Sequence, residues 1–303
     1  MTLFGQNGQG EPIPLTELDG PRWPGVILQP GATGLDMPPY SLFSDDSPNL
    51  DGSIYRGARA QAREIMLPVY LHGIDRQTIN GLKRMLFQAL NPRRGFCRIQ
   101  FTESKSRIRY IDAYYKGGME GSESVDGAGF RWAKYGLTFT AMDPWFYPER
   151  SQSTKWSFGA EDTFLHTSRS FIPVKVASGV MGVPDEEYLI SNPGDVEAWP
   201  IWRLTGPIKS FSLQGPNGDL IKASPPEDGF DLVPAGRTLT IDTRPGKKTV
   251  KDNTGVNYWS KLDLAPQFWP VDPGDTIAAI SVVAGTAAAA VTLSFQPRYA
   301  SFV

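Results

Sequence analysis

Residues 131–147, RWAKYGLTFTAMDPWFY, constrain the fold more than any other stretch of the chain. Ala133, Tyr135, Leu137, Phe139 and Ala141 share one phase, and Lys134, Gly136, Thr138 and Thr140 share the other. Successive side chains leave a strand on opposite sides, so this alternation predicts a strand over 131–142 with one face on a core. Pro144 has no N–H to give to a ladder and predicts the end of the pairing. Ile65, Leu67, Val69 and Leu71 repeat the pattern earlier; Leu239 with Ile241, and Val291, Leu293 and Phe295, repeat it later. With 31 Gly and 26 Pro in 303 residues, turns are frequent and strands must be short.

The balance of 30 Lys and Arg against 32 Asp and Glu argues against a strongly basic nucleic-acid binder. Cys97 is the only cysteine, so no intrachain disulfide and no Cys-based zinc site can form. It keeps phase with Ile99 and Phe101 and is expected to be a small buried hydrophobe. The first twenty residues lack a basic segment followed by an apolar one, unlike a signal peptide. No apolar run reaches the roughly 18 residues of a spanning helix. The expectation is a protein made in a cytoplasm and kept soluble or built into an assembly there.

Four regions are expected. Residues 1–53, rich in Gly, Pro, Asp and Ser, read as an extended N-terminal arm. Residues 54–150 read as a sheet packed by a single helix. That region opens on a basic patch, Arg56, Arg59 and Arg63, and continues into a strand over 65–71. Pro68 within it suggests an edge strand, or one whose partner lies on another chain. The helix is expected over 75–90, capped by Asp75, with Ile79, Leu82, Met85, Leu86, Ala89 and Leu90 on one face and Asn91-Pro92 as its stop. Strands follow at 96–102, 108–115 and 131–142, the last two joined by a Gly-rich tip at 117–129. Residues 151–185 read as a linker with an entry strand. From 186 to 303, short strands broken by turns such as Pro216-Asn217-Gly218-Asp219 predict an all-β sandwich of jelly-roll size.

The chemistry-bearing residues form no constellation. His72 and His166 stand in dissimilar contexts, and no nucleophile elbow, zinc-protease helix or phosphate loop is present. The acidic pairs Asp45-Asp46, Glu186-Glu187 and Glu227-Asp228 sit in turn-like surroundings and read as solvated charges. The stretch from Ser47 echoes a calcium loop but has Ala58 where a bidentate Glu is required. No enzyme activity, cofactor or metal is expected. Lys83, Arg84, Arg93, Arg94, Arg98, Lys105, Arg107 and Arg109 form a basic run relieved only by Glu103; it suits a solvated face or a protein interface, with nucleic acid the weaker option. Trp199, Trp202, Tyr258, Trp259, Phe268 and Trp269 are candidates for a sugar-binding face, although most suit a sandwich core.

Several blocks in order carry a family resemblance. They are residues 63–73 with the following helix and Asn91-Pro92-Arg93-Arg94-Gly95, and the strand ending Asp143-Pro144-Trp145-Phe146-Tyr147. In the second half they are Asn192-Pro193-Gly194-Asp195 through Trp199-Pro200 to Gly206, residues 239–243 leading to Gly255-Val256-Asn257, and Pro273-Gly274-Asp275. From about residue 54 onward the chain resembles the distal tail proteins of siphophages, minor tail proteins of the tail tip. The resemblance implies a mainly β protein: an N-terminal tail-tube-like β domain with one helix, then a C-terminal galectin-like β-sandwich.

It further implies a homo-hexameric ring in the virion, assembled in the host cytoplasm and joining the tail tube protein to a tail-associated or tip spike protein. Tape measure and DNA would pass through the lumen without specific binding, and there would be no membrane insertion. Arg56, Arg59, Arg63, Arg93, Arg94, Trp145, Phe146 and Tyr147 are the interface residues expected on this reading. Two departures stand out: residues 1–53 are longer and richer in Gly and Pro than the family pattern, and the second domain lacks a large insertion of the kind that adds a carbohydrate-binding module. The alternative is a host-adhesion protein of the virion that grips a surface glycan through an aromatic platform.

Overall fold

The alternation at 65–71 and 133–141 does put both segments on one core: Ile65, Leu67, Val69, Leu71, Leu137 and Phe139 are all buried. A computed structural model of the chain describes residues 1–16, 24–46, 48, 49, 51–104, 107–120, 131–158, 186–227, 229–284 and 288–303. They divide into two units, residues 1–149 with 298–303, and residues 150–297.

In the first unit the strands are β1 (Thr2–Phe4), β2 (Ile13–Pro14), β3 (Gly25–Leu28), β4 (Tyr40–Asp46), β5 (Ser53–Ala60) and β6 (Arg63–His72). The helix α1 (Arg76–Leu90) and then β7 (Cys97–Ser104), β8 (Arg107–Gly117), β9 (Trp132–Ala141) and β10 (Tyr147–Pro148) complete it. The main sheet runs β2-β1-β7-β8-β9-β6-β3, with β10 added on β8, and β4-β5 form a separate hairpin. Asp75 caps the helix by accepting from the Thr78 amide at 2.7 Å, which satisfies one donor the first turn leaves orphaned. Ile79, Leu86 and Leu90 bury against the sheet. Such burial contributes about 1.5–3 kcal/mol per side chain. Most of the Gly-rich tip, residues 121–130, lies outside the described residues.

Three sequence expectations are corrected here. Residues 1–53 are not a free arm over their described length. Leu3, Ile13, Leu15 and Val26 enter the first core, and the Asn7 side chain accepts from the Phe96 amide. Second, β6 is not an edge: it lies between β9 and β3. Pro68 is tolerated because the N and O of a strand residue point to the same side. Its carbonyl accepts from the Gln29 amide at 2.7 Å, so the missing donor faces that side too, where β3 has already ended at Leu28. The β6–β9 ladder through Pro68 and Gly136 loses nothing.

The third correction concerns the boundaries of the second half. The entry strand expected within 151–185 is found at its start as β11 (Gln152–Phe158), and the second unit begins at Arg150, so no linker precedes that strand. Residues 159–185, the remainder of that expected linker, lie outside the described residues. Residues 298–303 return to the first unit. The rest of the second unit comprises β12 (Glu186–Asn192), β13 (Ile201–Thr205), β14 (Ile208–Gln214), β15 (Leu220–Ala223), β16 (Thr238–Asp242), β17 (Thr249–Asp252), β18 (Gly274–Ala284) and β19 (Ala289–Phe295). They make two antiparallel sheets, β11-β19-β13-β16-β17 and β12-β18-β14-β15. Both sheets supply one apolar core: Leu204, Leu239, Ile241, Val291 and Leu293 from the first, Phe211, Leu213, Ile280 and Val282 from the second. Trp202 and Trp269 meet edge to face at 5.5 Å in that core, and the Trp269 indole N–H donates to the Leu213 carbonyl. The expected turn at 216–219 joins β14 to β15, with Gly218 in the left-handed region.

Candidate assembly surfaces

The β4–β5 hairpin is the part of the first unit that its own core does not explain. None of its side chains belongs to either apolar core. Leu42 is 71 % exposed and Tyr55 65 %, and Tyr40, Phe43 and Ile54 are also exposed. Arg56 pairs with Asp45 at 2.6 Å and Ser53 donates to Asp46 at 2.6 Å, so the polar groups are satisfied within the hairpin while the apolar ones are not covered. An isolated two-stranded hairpin is marginal in water, and its two edges are open to pairing. Sequence reading passed over this element, although Asp51-Gly52 is a hairpin-turn signal and Gly52 takes a positive φ.

Both roots of the hairpin are held by Arg63. Its guanidinium donates to the carbonyls of Gly34 and Asp36, on the irregular segment leading into the hairpin, and of Ala300 in the returning C-terminal segment, at 3.2, 2.6 and 2.7 Å. It also stands 4.9 Å from the Phe146 ring centroid. Arg63 is 1 % exposed; burial pulls its pKa down, to about 10, against the opposing influence of Asp36 and Tyr40. Gly34 is required at this crossing, since a Cβ there would lie 1.9 Å from the Glu64 carbonyl oxygen.

The expected interface residues therefore separate. Arg56 and Arg59 are exposed on β5, and Arg93 and Arg94 are exposed on the 3-10 turn after the helix. Arg63, Trp145 and Phe146 are buried and cannot be reached by a partner while the first unit is folded. Phe146 exchanges backbone hydrogen bonds with Tyr299 at 2.9 Å each way, and Trp145 lies under the Arg298 guanidinium. The hydroxyl of half-buried Tyr147 donates to Asp143 at 2.6 Å; burial, with the Asp143 charge, raises its pKa. The Asp-Pro-Trp-Phe-Tyr block thus latches the C-terminal segment to its own unit.

The basic run is likewise not one patch. Arg98 makes a bidentate pair with Asp112 at 2.7 and 2.8 Å and lies 3.8 Å above Tyr110. Arg107 pairs with Glu103. Arg109 donates to the carbonyls of Ser301 and Val303 and covers Tyr299. Lys105 lies outside the described residues. Periodicity cannot reveal the Arg109 contacts, because their acceptors lie more than 190 residues away in the chain.

Of the remaining candidates, Cys97 is buried, and burial pushes its thiol up to about 12. His72 is half-buried beside Tyr70, and His166 lies outside the described residues. Asp45 and Asp46 close β4 rather than a turn. Among the described residues no three His, Cys, Asp or Glu side chains gather as a metal site. Of the six aromatics considered for sugar contact, Trp202, Tyr258 and Trp269 are core residues, whereas Trp259 is exposed and Trp199 and Phe268 are half-buried.

Comparison with known proteins adds to this geometry. Residues 37–127, which include the hairpin, β6, the helix, β7 and β8, match the phage tail protein RIFT-related domain. Over 90 % of this chain and 93 % of the other, the fold is similar to the Dit protein of phage SPP1, described as a paradigm of the hub adsorption apparatus in phages infecting Gram-positive bacteria; the TM-score is 0.62 at 14 % identity. A chain of the phage p2 baseplate, in its activated conformation with strontium, is matched at a TM-score of 0.49 and 9 % identity, over 99 % of this chain and 98 % of that one. No curated protein sequence matches the chain. The resemblance to siphophage distal tail proteins is supported by the tail-protein domain in the first unit and the hub-protein fold.

Proposed function

We infer that this chain, a siphophage tail protein by its RIFT-related domain and its hub-protein fold, is a structural component of the tail tip that closes into a homo-hexameric ring. The observation that carries the reading is the hairpin: five large apolar or aromatic side chains on an element that no core of its own chain covers. A second copy of the chain is the occupant a ring supplies. In a head-to-tail ring each hairpin covers the next subunit, so no exposed pair of edges remains. Obligate interfaces of this kind bury on the order of 2,000 Å² or more. Arg56, Arg59, Arg93 and Arg94 are the exposed charges available to set register between copies or against neighbours.

On this reading the first unit is the tail-tube-like ring domain, and the second is a galectin-like sandwich carried on the outside. The ring joins the tail tube protein to the tail-associated or tip spike protein. Tape measure and then DNA pass through its lumen without sequence-specific contact. The role is mechanical, and no catalytic step is assigned to it.

Negative-stain imaging of the purified chain with rotational averaging tests the proposal. Six-fold rings with an open centre are expected. The double substitution Leu42→Ser, Tyr55→Ser is expected to yield monomers whose unfolding midpoint is unchanged. Monomers at every concentration, with and without the cognate tail tube protein, would overturn the ring.

A further inference from the structure

Two pairs of adjacent aromatics in the second unit are split between core and surface. Tyr258 and Trp269 are buried in the sandwich; of their sequence neighbours, Trp259 is exposed and Phe268 is half-buried against the core. Trp259 and Phe268 stack, with ring centroids 5.4 Å apart and planes within 22°. Lys248 places its ammonium 5.2 Å from the Phe268 centroid, so a cation stands beside the stacked pair. Trp259 is 42 % exposed.

The support beneath this stack is rigid. The Tyr258 amide donates to the Val250 carbonyl of β17, and the Trp259 amide donates to the Asn257 side chain. One turn earlier, Asp252 gathers the Thr254 and Val256 amides, the Thr254 hydroxyl and the Arg237 guanidinium. An aromatic plane held in this way loses little side-chain freedom on binding.

The charge placed at the stack is positive. Lys248 is exposed and forms no ion pair among the described residues; Lys251 is exposed on β17, and the charge of exposed Lys247 acts on Asp242. The nearby carboxylates are engaged elsewhere: Asp242 with Arg244, Asp252 with Arg237, and Asp263 with Ser224 and Lys222.

We propose that this surface binds an anionic polysaccharide, with Trp259, backed by Phe268, as the platform for a sugar ring and the lysines as partners for its acidic substituents. The C–H face of a pyranose is flat, apolar and weakly electropositive, and it complements the electron-rich face of an indole. A carboxylate or phosphate on the sugar reaches an ammonium beside that ring. A protein partner fits less well, because lysine is depleted from the centres of protein interfaces.

Affinity electrophoresis of the full chain in gels containing polygalacturonate, phosphomannan or neutral dextran tests this and separates carboxylate from phosphate sources. Retardation by one of the anionic polymers, at least tenfold stronger than by dextran, is expected. Trp259→Ala should weaken it at least tenfold, and Lys248→Gln, on the surface and harmless to folding, about threefold or more. Leu264→Ser, at a fully exposed apolar position nearby, should leave it unchanged. Three results would each overturn the proposal: no retardation by either anionic polymer, equal retardation of the Trp259→Ala variant, or loss on Leu264→Ser, which would mark a protein-docking patch instead.

Discussion

Arg63 is a cation held in the first unit by three backbone carbonyls and an aromatic face, with no carboxylate hydrogen-bonded to it among the described residues. Burying a guanidinium costs free energy unless its donors are answered; here Nη1 and Nη2 find acceptors 27 to 237 residues away in sequence, while the buried Nε has no partner among the described residues. Arg63→Met keeps the length of the side chain but leaves those carbonyls without a donor. The expected loss is about 2–4 kcal/mol, read as a lower denaturant midpoint. Arg63→Lys should recover only part, because a single ammonium cannot span the fork. The sequence did mark this arginine, but as one of a surface triplet with Arg56 and Arg59. Charge is visible in a sequence; the distant carbonyls that make a buried charge tolerable are not.

At the scale of elements, α1 was legible because its apolar spacing, its Asp75 cap and its Asn91-Pro92 stop all lie within a few residues of one another. Its buried face can be tested directly. Leu86→Asp puts an unpaired carboxylate where Leu86 is fully buried, and it should destabilise the first unit by about 4 kcal/mol or more. Loss of its cooperative unfolding transition at room temperature is the expected reading; a native transition would mean the helix face was misassigned. Strand β6 was legible as a strand but not in its place. Period-two alternation reports which face is buried, whereas the ladder partners are decided in the perpendicular direction. The hairpin escaped because both of its faces are exposed, which removes the alternation that marked β6 and β9.

For the molecule as a whole, the first unit is discontinuous in sequence. Its last segment holds on through the Phe146–Tyr299 bridge, Phe302 stacked on Phe101 at 4.7 Å, and the carbonyls bound by Arg63 and Arg109. Replacing Tyr299 and Phe302 together by Ala should therefore weaken the first unit and leave the second unit's stability unchanged. Cys97 offers the readout: it is the only thiol, it is buried in the first core, and its raised pKa keeps it unreactive at pH 8 until that core opens. Faster labelling of the double variant, with an unchanged transition for the second unit, is the expected result.

The sequence alone determined the mainly β character, the single long helix, the buried phase of the main strands and the core role of Cys97. Each of these depends on residues close together in the chain, through side-chain periodicity, capping and the missing donor of proline. The blocks of turn residues, taken in order, also pointed to siphophage tail proteins. Only the tertiary structure decided that residues 1–16 complete the first sheet, that 298–303 return to it, and that Arg63, Trp145 and Phe146 are internal. It also decided that exposed Trp259 stacks on half-buried Phe268 while Tyr258 and Trp269 enter the core. These outcomes are set by which distant groups meet, and hydrogen-bond partners and burial at that range are properties of the packed chain rather than of any local pattern.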